Sequence, residues 1–278
     1  MSKNQSLGPI GVFDSGYGGL TILRSLREHL PEYDYLYLGD NARAPYGTRS
    51  FDIVYEFTLQ AVKYLFSQGC PLVILACNTA SAKALRTIQQ RWLPFSDDPS
   101  RRVLGVIRPT AEYIGSATHN GHVGIFATPG TIASQSYDIE IAKLNPDFKT
   151  TGHACPMWVP LVENGDADCD GADFFVNRDV NALLTADPQI DTIVLGCTHY
   201  PLLHKKIRAA VPDNISLLKQ GDIVARSLKD YLSRHPEMNV RLARNGDAGF
   251  LTTENPDRFA DLATLFLGHD ISAKHVSL

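Results

Sequence analysis

Six short stretches of this chain, residues 10–13, 35–38, 72–76, 103–107, 123–126 and 192–195, are apolar with almost no polar alternation. A strand with one face in water alternates apolar and polar residues. A strand covered on both faces does not, and uninterrupted runs of Val, Ile, Leu and aromatics mark parallel strands sandwiched between helices. The intervening segments supply those helices. Residues 50–67 set Val54, Phe57, Ala61 and Leu65 on one helical face, and comparable stretches occupy 79–92, 130–144, 171–185, 202–210 and 222–233. Parallel neighbours need crossover connections, so the alternation predicts an α/β fold with mainly parallel central sheets. The 278 residues suffice for two such units at about 150 residues each. The segment 93–102, with Pro94, Pro99, two Asp and two Ser, reads as a linker.

The chain echoes itself. GVFDSGYGGL at 11–20 and GIFATPGTI at 124–132 share Gly, an apolar residue and Phe, then a polar turn before a helix. LVILACNTASA at 72–82 and TIVLGCTHYPLL at 192–203 each run an apolar strand into a small residue, a Cys, and hydroxyl or amide residues that open a helix. The two echoes lie at similar separations, which predicts two similar α/β domains. The first is expected to comprise 1–98 plus 212–278, carrying Asp14 and Cys77, and the second 99–211, carrying Glu163 and Cys197. Ligands of open α/β sheets bind beyond the carboxyl ends of the strands, so two facing units present both cysteines to one cleft.

A thiol between a strand end and a helix start meets the positive end of the helix dipole, which favours thiolate. Cys77 and Cys197 are therefore candidate reactive thiols, and Asn78, Thr79 and Thr198 directly behind them are candidates to hold a carboxylate. The alternative for these polar residues is ordinary helix capping. Asp14 and Ser15 occupy the matching turn of the first echo, ahead of Gly16, Gly18 and Gly19. That turn allows an anion close to the backbone, but DSGYGG is neither a dinucleotide fingerprint nor a P-loop. Asp14 is a candidate to orient or receive a proton, or to cap its turn. His199, two residues beyond Cys197, is its counterpart at the second thiol.

The five cysteines contain no CxxC pair and no Cys/His zinc spacing, so no metal is expected. Cys70, Cys155 and Cys169 lack the polar helix opening and are read as packing residues. With 26 basic against 30 acidic side chains and no basic block, nucleic acid is not an expected partner. The longest apolar run, 72–77, is too short for a bilayer, and MSKNQSLGP lacks a signal peptide's apolar core, so a cytoplasmic protein is expected.

FDSGYGGL, GDNARAPYGTRS, ACNTASA, VPLVENG and VLGCTHYPLL, in this order, resemble the cofactor-independent glutamate racemases of the aspartate/glutamate racemase family. The resemblance runs from about residue 10 to FLTTENPDRFADLATLFLG at 250–268. It implies that Cys77 and Cys197 are the two catalytic bases, that Asp14 assists the first, and that Glu163 with His199 assists the second. It also implies substrate contacts from Asp14, Ser15, Pro45, Tyr46, Gly47, Asn78, Thr79, Thr198 and His199, with Thr128 added as the echo of Ser15. A homodimer that supplies D-glutamate for peptidoglycan, without a cofactor, is the family expectation. Three positions depart from the family's pattern: Tyr17 where a small aliphatic is usual, Arg108 in a turn that is normally apolar, and LKQGD at 218–222, which lacks an acidic residue often present.

The chemistry agrees with the motifs. Inverting an amino acid's Cα removes a proton from one face and delivers another to the opposite face, so two groups must flank one carbon, one ionised and the other protonated. Hydrogen-bond donors around the carboxylate stabilise the negative charge that develops there. Two other readings stand beside this one: an aspartate racemase, and a binding protein whose cleft clamps a small dicarboxylate without turnover.

Overall fold

The computed structural model describes residues 7–278. Residues 1–6, part of the polar segment that argued against a signal peptide, lie outside the described residues. In chain order the strands are β1 (Ile10–Asp14), β2 (Tyr35–Gly39), β3 (Leu72–Leu75), β4 (Arg102–Gly105), β5 (His122–Ala127), β6 (Lys149–Ala154), β7 (Thr192–Gly196), β8 (Ser216–Leu218), β9 (Ala248–Thr252) and β10 (Lys274–His275). One sheet has the order β10-β9-β2-β1-β3-β4 and the other β6-β5-β7-β8. Every neighbouring pair is parallel. The expected two-sheet α/β architecture is the observed one.

Apart from β4, an edge strand, the strands read from apolar runs are those at or near the sheet centres. All residues of β1, β3 and β7 are buried, as helices on both faces require. The strands without such runs lie at the edges or near them: β6, KTTGHA, and β8, SLL, are only partly covered. The run 103–107 is shorter as a strand than expected, because β4 stops at Gly105 and Ile107 opens the helix Ile107–Ala117. The helix Phe51–Ser67 buries Val54, Ala61 and Leu65 as expected, while Phe57 stays part-exposed with the Arg43 guanidinium 4.1 Å above its ring. The stretch 79–92 is not one helix: Asn78–Lys83 is followed by a short turn and a π-helical segment, Ile88–Trp92.

The expected domain limits need correction at both crossings. Leu72 pairs with Arg102, so β4 belongs to the first sheet. Thr192 pairs with Ser216, so β8 belongs to the second. The Pro-rich segment 93–102 is thus a connection inside the first unit, and the chain leaves that unit after Gly105 and returns after Leu218. Helices stand at both crossings, Ile107–Ala117 and Gln220–Arg234, and they pack on each other. One apolar cluster spans both units, from Ile10 and Leu72 through Val106 and Val224 to Leu195 and Phe126.

Two of the noted departures have structural reasons. Tyr17 stacks on Phe259 and Phe266, with ring centroids 5.4 and 6.1 Å away, so the helix Pro256–Leu267 supplies an aromatic seat. Arg108 does not lie in a turn. It sits in the first turn of Ile107–Ala117, donating to Glu112 at 2.7 Å and to Glu140 at 3.2 Å. Among the described residues no helix is long and apolar enough to cross a membrane.

Candidate active site

Four strands deliver the site through their carboxyl ends. β1 ends on Asp14, β3 leads through Ala76 to Cys77, β5 is followed by Thr128, and β7 by Cys197. A cavity of about 110 Å³ is lined by Ser15, Pro45, Tyr46, Gly47, Cys77, Asn78, Thr79, Thr128, Glu163, Cys197, Thr198 and His199. Every catalytic or substrate-contact candidate therefore borders this one space except Asp14, which lies just behind it and is 1% exposed. A larger cavity of about 650 Å³, bordered by Arg86, Arg108, Glu140 and Tyr231, contains none of them.

The two thiols have opposite electrostatic neighbours. Cys77 caps the helix Asn78–Lys83, accepting the Ala80 N–H at 3.4 Å, and the Ser15 hydroxyl lies 3.5 Å from its sulfur. The expected depression of its pKa is overturned: burial, with the Asp14 carboxyl adding to it, pushes the thiol up to about 12. A six-residue helix and one hydroxyl do not offset that desolvation. Asp14 accepts the Gly16 N–H at 2.9 Å and the Thr198 hydroxyl at 3.4 Å, yet burial raises its carboxyl above the ordinary value.

At the second thiol the neighbour is a cation. His199 Nδ1 lies 3.8 Å from Cys197 Sγ, and Nε2 lies 2.9 Å from Glu163 Oε1. Burial pulls this imidazole down, but its bonds to Cys197 and Glu163 outweigh burial and raise it from 6.5 to about 10. Cys197 is followed by the 3-10 turn Tyr200–Leu203 rather than by an α-helix, so the imidazolium takes the place the sequence reading gave to a helix dipole.

The glycine-rich turn after β1 also lets two chain segments approach closely. A Cβ on Gly18 would stand 2.2 Å from Thr198 Oγ1 and 2.5 Å from His199 Nδ1. This glycine admits the second unit's Thr198–His199 loop against the first. Tyr46 borders the cavity, and its hydroxyl donates to the buried Asp40 carboxylate. Thr79, Thr128 and Thr131 form a hydroxyl cluster across the seam, with Thr79 to Thr128 at 3.0 Å and Thr128 to Thr131 at 3.1 Å. Thr131, unlike its two partners, is not among the site candidates read from the sequence.

Cys70 and Cys155 are buried, in keeping with packing roles, but Cys169 is exposed at the start of Asp170–Ala186. The packing role expected for Cys169 is therefore wrong, since a helix start on the outer surface offers it no core. Cys155 borders the cavity as well. The fold brings it within 4.8 Å of His153 and Asp179, a grouping invisible in the cysteine spacing. Arg178 Nη2 lies 2.8 Å from Asp179 and already supplies that carboxylate with a positive charge.

A family model for Asp/Glu/hydantoin racemases matches residues 20–228. The chain is 42% identical over 268 residues to the glutamate racemase of Roseobacter denitrificans, covering 93% of this chain and 96% of that one. Its fold is similar to that of a glutamate racemase isoform from Bacillus anthracis, with TM-score 0.88, 33% identity and 98% of each chain covered. It is similar too to the glutamate racemase of Francisella tularensis in complex with D-glutamate, with TM-score 0.85, 31% identity and 97% of each chain covered.

Proposed function

This chain belongs to the Asp/Glu/hydantoin racemase family, and from that premise we propose that it interconverts L- and D-glutamate by a two-cysteine mechanism that needs no cofactor. One observation carries the reading: two thiols delivered by two different sheets border a single cavity of about 110 Å³. A carbon held between them has one sulfur on each side.

Their unequal surroundings support a choice of starting roles. In this reading Cys197, with His199 and Glu163 beside it, starts as the base, and Cys77, whose thiol burial pushes up, starts protonated. For L-glutamate, Cys197 takes the Cα proton and Cys77 delivers its own to the other face. The pair ends with roles exchanged, which is the state that accepts D-glutamate. Asp14 assists Cys77, and Ser15 lies against its sulfur.

Among the described residues no Lys or Arg borders the cavity. The substrate's carboxylates are held by the Asn78 amide and the hydroxyls of Ser15, Thr79, Thr128 and Thr198, with Pro45, Tyr46 and Gly47 forming a wall. Donors fixed around the α-carboxylate stabilise the charge that reaches it when Cα loses its proton. The product D-glutamate serves peptidoglycan synthesis in the cytoplasm, and the enzyme works as a homodimer.

Chiral chromatography tests the reading. Each glutamate enantiomer is expected to give the racemate, much faster than either aspartate enantiomer does, with activity surviving exhaustive chelation and lost on thiol alkylation. Preference for aspartate, or a loss on chelation that added metal restores, would overturn it.

A further inference from the structure

Asn78 does not stand alone. Its Nδ2 donates to Gln220 Oε1 at 2.7 Å, its Oδ1 accepts from the Tyr137 hydroxyl at 2.7 Å, and Gln220 Nε2 donates to Tyr137 at 2.8 Å. The three groups close a ring, and Gln220 Nε2 also reaches Thr110 Oγ1 at 2.9 Å. All four side chains are buried, Gln220 to 2% exposure and Thr110 to 0%.

The polarity of this ring is set by a group that cannot reverse. Thr110 gives its only hydroxyl hydrogen to the Val106 carbonyl at 2.8 Å, so toward Gln220 its oxygen can only accept. Gln220 must therefore present its nitrogen there, and the Val106 carbonyl, 3.4 Å from the same nitrogen, demands this too. The Gln220 oxygen is then left for Asn78, whose nitrogen must face it. A flipped Asn78 would set two carbonyl oxygens 2.7 Å apart. With one Nδ2 hydrogen bound to Gln220, the other is free for the cavity that Asn78 borders.

The ring members come from different parts of the molecule. Asn78 follows β3 of the first sheet, and Tyr137 follows β5 of the second. Thr110 and Gln220 stand where the chain leaves and re-enters the first unit. Separating the units breaks the Tyr137 to Asn78 bond.

We propose that Gln220 is a positioning residue which, anchored through Thr110 to the Val106 carbonyl, holds an Asn78 N–H aimed at the substrate carboxylate when the two units are together. The proposal rests on the glutamate reading above and deepens it.

A double-mutant cycle tests it, because a residue that acts only through Asn78 has nothing to act on once Asn78 is gone. Gln220→Met is expected to raise the KM for glutamate about tenfold, the scale of one hydrogen bond, with a smaller change in kcat. In an Asn78→Ala background the same substitution should change KM less than about twofold. Multiplicative effects in the double variant would overturn the proposal. Should Gln220→Met fail to fold, Thr110→Val and Thr110→Ser carry the cycle, Val raising KM and Ser, which keeps the hydroxyl, restoring it; equal KM values for the two would overturn the proposal. If Asn78→Ala alone leaves KM unchanged, the substrate role of Asn78 fails separately. NMR of the Asn78 side-chain amide then decides the positioning claim, which expects slow hydrogen exchange in the parent protein and fast exchange in Thr110→Val. Equal exchange in the two would overturn it.

Discussion

His199 owes its charge to its partners. A buried imidazole loses its proton readily unless something holds it, and here Cys197 and Glu163 keep it charged up to about 10 against an ordinary 6.5. Since the folded value lies above the unfolded one, the stabilisation is complete below about 6.5 and disappears as pH rises through about 10. Glu163→Gln removes one of those partners. By NMR titration His199 is expected to move back toward 6.5, and by urea unfolding the variant should be less stable by about 1.5–3 kcal/mol at neutral pH, the range for a hydrogen bond to a charged group. The gap should shrink toward pH 10, and a gap independent of pH would contradict the account. Each thiol is also testable alone. Cys77→Ser and Cys197→Ser should each lose about 10²- to 10⁴-fold or more in racemisation, while each still eliminates a leaving group from one enantiomer of a β-substituted analogue. Cys77, Cys197 and the residues behind them were legible because reactive side chains sat at strand ends. Gln220, Tyr137 and Thr131 were not, since nothing local distinguishes a buried Gln or Tyr that bonds a site residue from one that only packs.

Legibility at the level of elements followed burial. Strands covered on both faces, β1, β3 and β7, announce themselves as apolar runs, whereas β6 carries polar residues because its edge meets solvent. The helix expected over 79–92 breaks after Lys83, where Ala84 and the π-helical Ile88–Trp92 interrupt the 3.6-residue repeat. The turn after β1 carries a packing role that the sequence did not show: Gly18 leaves room for Thr198 and His199. Gly18→Ala is expected to cost about 1–3 kcal/mol, the usual range for overpacking, and to lower kcat more than it raises KM, because the displaced group is the one that holds Cys197 ready. Unfolding and steady-state kinetics on one preparation check both. A variant as active and as stable as the parent would mean that the second unit's loop does not need this approach.

Across the whole molecule, the echo of two strand–Cys segments indicated two units, but not where the chain passes between them. That depends on strand pairing, Leu72 with Arg102 and Thr192 with Ser216, and pairing partners leave no trace in composition. The units meet directly beside the cavity, where the Gly130 N–H donates to the Gly47 carbonyl at 2.8 Å and the Thr79 and Thr128 hydroxyls bond at 3.0 Å. In the proposed reaction, a seam closed in this way limits the access of water to the substrate carbon. The most direct measurement of the central claim is the fate of solvent hydrogen. In deuterated water, starting from either enantiomer, the account expects early product to carry deuterium at Cα while recovered substrate stays unlabelled, since the thiol that took the proton is not the thiol that gives one. Substrate and product labelled equally at early times, from both directions, would contradict it and require a single base that serves both faces.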